Sequence, residues 1–194
     1  MTATPNSKFD QAELLHLALD AGRNGDSGAT LAFLKEAVSR PDATGKAHFL
    51  LGSEYAQLRM YDRAVLEMEA AVAVDPTLYI ARFQLGLLWL SSGDGARALA
   101  VLEPLELLDS GNPLASFAKG LMHLIRDEFT ETLECLALGI QLNTENPALN
   151  GDMQKIIEQV NALPPEVLNK KESAETASDT PHIFMSAYTG KGNN

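Results

Sequence analysis

Four histidines, one cysteine and a few glycine-rich turns are the residues able to do chemistry, and their spacing gives them little to do. His16, His48, His123 and His182 are scattered, with no HExxH pair and no carboxylate at a metal-ligand interval. His48 and His123 read as packed rings with polar tips. Cys135 is alone, which removes an intramolecular disulfide and a CxxC metal knuckle. At an otherwise apolar helical position it reads as a small core residue. GRNGDSG, residues 22–28, lacks the Lys-Ser/Thr of a phosphate loop and follows a helical pattern rather than a strand. GDGA at 93–96 is the same turn further along. No serine sits in a GxSxG elbow. These residues predict no catalytic, cofactor-binding or metal-ligating group, and hence a protein that is not an enzyme.

The remaining chemistry is apolar and lies in two places. Phe49, Phe83 and Phe117 recur at one interval. Near the end, HIFMSAY at 182–188 restores Ile183, Phe184, Met185 and Tyr188 after the polar stretch 164–181. Such side chains gain nothing from water, so the segment is expected to dock on a surface, of the same chain, of a neighbour or of another protein.

Bulk composition narrows the partners. The chain has 194 residues, 45% hydrophobic and 21% charged, with a formal net charge of −11. That fits one soluble domain or one repeat array. Nucleic acid is not expected, because phosphate binding needs clustered Lys and Arg. Membrane insertion is not expected either, since runs such as LGLLWL fall far short of the ~20 residues that span a bilayer. No secretory signal is visible in MTATPNSKFDQAE, so the expected compartment is the cytoplasm.

The elements that position these residues repeat. Sliding residues 47–76 by 34 places Gly52 on Gly86, then on Gly120, and backwards on Ala18. Ala64 lands on Ala98, Met68 on Leu102 and Leu136, and Phe49 on Phe83 and Phe117. Four copies, 11–44, 45–78, 79–112 and 113–146, align without a gap. Each reads as an amphipathic helix, a turn rich in Gly, Asp or Asn, and a second amphipathic helix. Small residues recur where two helices must approach, and a larger side chain there would cost about 1–3 kcal/mol. One hairpin cannot bury its own apolar face, but a stack can. Pro104 falls inside the second helix of the third copy, which predicts a kink or break near Glu103.

The second copy carries Leu51, Gly52, Tyr55, Ala64, Ala71 and Pro76. At these positions it resembles the tetratricopeptide (TPR) repeat. The third copy keeps Leu85, Gly86, Trp89 and Ala98, and the first and fourth are looser. The resemblance implies an all-α fold, a right-handed superhelical solenoid of helix-turn-helix repeats. The expected organisation is a flexible 1–8, a solenoid over 9–162 with a capping helix at 147–162, and a flexible tail over 163–194.

Function follows only from that resemblance, which implies a protein or peptide partner. Repeat positions two, five, nine and twelve of the family usually line a concave groove. Here they are Leu15 and Leu19 in the first copy, then Lys46, Phe49, Ser53 and Ala56. The later copies place Ile80, Phe83, Leu87, Leu90, Leu114, Phe117, Leu121 and Leu124 there. An apolar channel of this kind suits an amphipathic helix or an extended hydrophobic peptide. The Lys/Asn clamp of chaperone-binding members is missing. Three roles stay open: an adaptor holding proteins in a complex, a chaperone for a hydrophobic client of a bacterial secretion or appendage system, and a self-assembling subunit whose tail docks in trans.

Overall fold

The computed structural model describes residues 9–164 and residue 168. Among the described residues every regular element is helical: α1 (Gln11–Arg23), α2 (Ser27–Ser39), α3 (Gly45–Gln57), α4 (Tyr61–Val74), α5 (Tyr79–Ser91), α6 (Gly95–Leu102), a 3-10 segment (Glu103–Leu107), α7 (Pro113–Ile125), α8 (Phe129–Leu142) and α9 (Pro147–Asn161). First helices begin at 11, 45, 79 and 113, and second helices at 27, 61, 95 and 129; α9 continues the first series at 147. Both series step by the interval read from the sequence.

The chain forms two compact units, one running to Leu85 and one starting at Gly86, with the boundary inside α5. In the first, α1 pairs with α2, α3 pairs with α4, and α2 packs on α3. Leu14, Leu34, Leu51 and Met68 close its interior. In the second, α7 pairs with α8, α6 and the 3-10 segment pack on α7, and α9 packs on α8. Leu102, Leu105, Met122, Leu136 and Met153 are buried there.

The helices start where polar residues satisfy otherwise orphaned amides. Asp10 and Glu13 form a reciprocal capping box, with the Glu13 amide donating to Asp10 Oδ1 at 2.9 Å and the Asp10 amide donating to Glu13 Oε2 at 2.7 Å. Asp26, Thr44, Asp94, Asn112 and Asn146 cap five more. Pro113 and Pro147 open α7 and α9, where a missing amide hydrogen costs nothing.

All four hairpins turn in one way. The amides of residues 25, 59, 93 and 127 donate to the carbonyls of 22, 56, 90 and 124, and the next amide in each turn donates to 21, 55, 89 or 123. This is the paired bonding of a Schellman closure, and it needs a left-handed residue. Gly25 (φ 74°) and Gly93 (φ 84°) supply it freely, whereas Arg59 and Asp127, both at φ 58°, do so against their Cβ.

Close packing explains the recurring small residues. A Cβ on Gly86 would sit 2.5 Å from Leu102 Cδ2, and one on Gly120 would sit 2.7 Å from Leu136 Cδ2. On Gly52 the nearest atom is Met68 Cγ at 3.1 Å. Ala64 and Ala98 are fully buried. Thr30 and Thr132 replace them in the outer copies, and each hydroxyl donates back to the carbonyl four residues earlier at 2.8 Å. The threonines therefore fill an alanine position without leaving a polar atom bare.

The break expected at Pro104 is present. α6 stops at Leu102 and a 3-10 segment takes over from Glu103. Proline cannot donate to the turn before it, and its ring crowds that turn, so this second helix is shorter than α4 or α8.

Candidate functional site

The first-helix positions that the repeat register assigns to a partner are treated one unit at a time. In the first unit, Leu15 is buried and Leu19 is exposed on α1. On α3, Phe49, Ser53 and Ala56 are half-buried at helical spacing, with Lys46 exposed beside them. Ile80 on α5 is half-buried, and Phe83 is fully buried. In the second unit, Leu87 and Leu114 are half-buried, but Leu90, Phe117, Leu121 and Leu124 are closed to solvent.

Six of the expected groove positions, Leu15 among them, are buried. Leu15, Phe83, Leu90, Phe117, Leu121 and Leu124 are core residues in this structure, whereas Leu19, Phe49, Ile80, Leu87 and Leu114 keep accessible surface. The reason is visible for Phe117. A Cβ added to Gly139 of α8 would collide with the Phe117 ring at Cδ1 and Cε1. The same register position is Ala71 in the second repeat and Leu105 in the third. Glycine in the fourth leaves room for a phenylalanine to pack inward.

The titratable residues serve packing. His48 Nδ1 lies 2.7 Å from Glu67 Oε2, joining α3 to α4. His123 Nδ1 lies 2.5 Å from Glu128 Oε2 across the turn after α7. Both rings are partly buried with the polar tip on a carboxylate, as expected from their positions. His16 pairs with Asp20 on the exposed face of α1 at 3.3 Å. Cys135 is half-buried, and that burial pushes its thiol above the ordinary range. Among the described residues no group of three or more His, Cys, Asp and Glu side chains is placed to hold a metal.

Two contacts were absent from the sequence reading. Arg63 lies over the Tyr55 ring, 5.7 Å from its centroid, and Arg97 lies over the Trp89 ring at 4.5 Å. Each joins the end of a first helix to the start of the second by a cation–π contact. The signal was available, because both members of the pair recur at the repeat interval. An open, largely apolar groove of about 420 Å³ also lies against α1, lined by Phe9, Ala12, Glu13, His16 and Leu17. The docking residues Ile183, Phe184, Met185 and Tyr188 lie outside the described residues.

No protein-family sequence model matches the chain, and no curated protein does. Solved structures match it in fold. A MamA fragment, residues 41 to the end, from Desulfovibrio magneticus RS-1 superposes with a TM-score of 0.58 at 20% identity, covering 80% of this chain and 92% of its own. TTC0263, a thermophilic TPR protein of Thermus thermophilus, gives 0.59 at 20% identity, covering 79% and 82%. YrrB, described as a TPR protein with an unusual peptide-binding site, gives 0.57 at 18% identity, covering 75% and 74%. Identity at this level speaks for the backbone and not for the ligand. With the helix register, the Schellman turns and the small-residue contacts, these superpositions give the chain the all-α helical-repeat fold of the tetratricopeptide-repeat proteins.

Proposed function

We propose that the chain is a protein-interaction module that takes a peptide or an amphipathic helix of a partner on its first-helix surfaces. The observation that carries this is the apolar residues those helices leave half-open: Phe49 and Ile80 in the first unit, Leu87 and Leu114 in the second. Covering the exposed part of each returns on the order of 1 kcal/mol at about 25 cal/mol per Å². A short apolar motif engaging the residues of one unit gains enough for a weak, reversible contact. YrrB, whose fold is similar, is described as having an unusual peptide-binding site, which supports a peptide partner for a chain of this fold. Among the described residues no helix is long and apolar enough to cross a membrane.

The test is site-specific photo-crosslinking in cells, with p-benzoylphenylalanine replacing Phe49 or Leu114. Controls carry it at Leu66 or Leu138, exposed on second helices. The expected result, read for each unit by itself, is partner capture from Phe49 and partner capture from Leu114, with none from the controls. Capture from Leu66 or Leu138 alone would move the binding surface to the second helices and end this reading.

A further inference from the structure

The first and last described helices differ in what they show to solvent. On α9 the large apolar residues Leu149, Met153, Ile156 and Val160 are buried, and polar residues such as Asp152, Lys155 and Glu158 are exposed. α1 keeps apolar surface open beside its charges. Phe9 is 42% exposed, Ala12 is exposed and Leu17 is half-buried, and with Glu13 and His16 they line the open groove of about 420 Å³. The backbone there is held: the Arg40 guanidinium donates to the Phe9 carbonyl at 2.9 Å, and the Asp10–Glu13 capping box follows directly. The repeat register says what shape belongs in the groove. Position three is Glu13 in α1 but Ala47, Ala81 and Ala115 in the later first helices, and position seven is Leu17 in α1 and Leu51 in α3. Those alanines are at most 3% exposed, and Leu51 is 1% exposed. Ala47 lies about 140° round α3 from Gly52, and the Gly52 side meets Met68 and Ala64 of α4. The burial of Ala47 therefore needs a neighbour other than α4, and α2 packs on α3 as well. The groove on α1 is the same side without such a helix among the described residues.

We propose that this groove on α1 is a docking surface of its own, and that its occupant is a basic amphipathic helix of a partner protein. The shape follows from the register, because α1 offers there the positions that the later first helices bury. The charge follows from the surroundings. Residues 9–42 carry six carboxylates against three Lys and Arg. Two of those cations are already taken, Arg23 by Asp20 at 3.1 Å and Arg40 by Asp42 at 2.9 Å. Asp10 and Glu13 accept backbone amides and keep their charge beside the groove. A helix with an apolar stripe for Phe9, Ala12 and Leu17, flanked by Lys or Arg, complements both features. Its cations steer the encounter and set the orientation, while the apolar stripe supplies the contact. The inference shares no residue with the partner surface proposed above and stands or falls without it.

The experiment titrates the full chain into a fluorescent model helix of Leu and Lys, with Leu at i, i+3, i+4 and i+7, and follows anisotropy. Ala12→Arg puts bulk and positive charge into the groove at an exposed position, and Leu66→Arg makes the same charge change on the exposed face of α4. At unchanged helix content, Ala12→Arg is expected to weaken binding about tenfold or more, and Leu66→Arg to leave it within about twofold. A peptide with Glu in place of Lys, and one interrupted by a central proline, should each bind about tenfold more weakly or worse. No loss in Ala12→Arg, an equal loss in Leu66→Arg, or equal binding of either altered peptide would overturn the proposal. Sedimentation of the chain alone names the rival occupant. A concentration-dependent dimer that Ala12→Arg abolishes would give the groove to a second copy and overturn the proposal as well.

Discussion

In the hairpin α3–α4 the first helix buries six of its thirteen residues, and in α7–α8, at the same register, it buries nine. Both hairpins close through the same Schellman turn, both place a non-glycine residue in the left-handed region, and both have glycine at the helix crossing. They differ in how tightly that glycine is held and in what the phenylalanine at position five does. Phe49 stays half-open, whereas Phe117 is enclosed beside Gly139. A shared register therefore sets where helices begin, turn and cross, and leaves their coverage to be decided by neighbours.

The largest break in this comparison should come from the phenylalanines. Phe117→Ala removes an enclosed ring and should destabilise its hairpin by about 3–5 kcal/mol, whereas Phe49→Ala should cost about 1–2 kcal/mol. Native-state hydrogen exchange resolved to each hairpin measures both, since a repeat array need not unfold as one unit. Equal losses would mean that Phe49 is as much a core residue as Phe117.

Next come the crossings. Gly120→Ala pushes a methyl to 2.7–2.8 Å from Leu136 Cδ2 and Cγ, and should cost about 1–3 kcal/mol. At Gly52 the nearest atoms are Met68 Cγ at 3.1 Å, and Ala64 O and Met68 Cε at 3.2 Å, so the approach is looser and is made in part by a flexible side chain and in part by a backbone carbonyl. There the gain of roughly 1 kcal/mol in helix propensity offsets part of the crowding, so Gly52→Ala should cost less than Gly120→Ala. Thermal melts of the two variants side by side decide this, and a larger loss at Gly52 would contradict the packing account.

The turns should move the other way. Arg59→Gly and Asp127→Gly each relieve a left-handed residue, and each should stabilise its hairpin by about 0.5–1 kcal/mol. The comparison partner is already present, because Gly25 and Gly93 hold the same position in α1–α2 and α5–α6. Urea titration reads the shift, and a loss at both positions would show that the side chains contribute more than the strain costs.

The smallest effect is pH-dependent and distinguishes the hairpins by their last residue. Asp75 ends α4, and the Thr77 hydroxyl and amide donate to its carboxylate at 2.6 and 2.9 Å. Those bonds, the hydroxyl first, hold its pKa below the ordinary carboxylate value. A depressed folded-state pKa gives stability that is present above the unfolded value and lost as pH falls through the folded one. Asn143 holds the same position after α8, with its amide donating to the Asn146 carbonyl at 2.8 Å and to Asn150 Oδ1 at 2.7 Å. It does not titrate. Acidification below about pH 3.9 should therefore raise exchange at the end of α4 through a step that Asp75→Asn abolishes and that the Asn143 closure lacks.

Much of this was legible because it is local. Asp26 and Asp94 announce their caps, Gly25 and Gly93 announce their turns, and Pro104 announces the break, each within one helical turn of the residue responsible. Gly52, Gly86 and Gly120 were legible at longer range only because the interval repeats. The Arg63–Tyr55 and Arg97–Trp89 contacts follow the same interval and could have been read from it. Which groove positions keep accessible surface was not legible, because one apolar residue at helical spacing serves core and surface equally well.

By itself, then, the sequence determined register, helix ends, turn type and fold class, since these depend on backbone chemistry repeated within a few residues. Only the tertiary structure decided which of three identically spaced phenylalanines keeps a face to solvent. That depends on the size of the residue brought opposite from another helix, and at Phe117 that residue is a glycine.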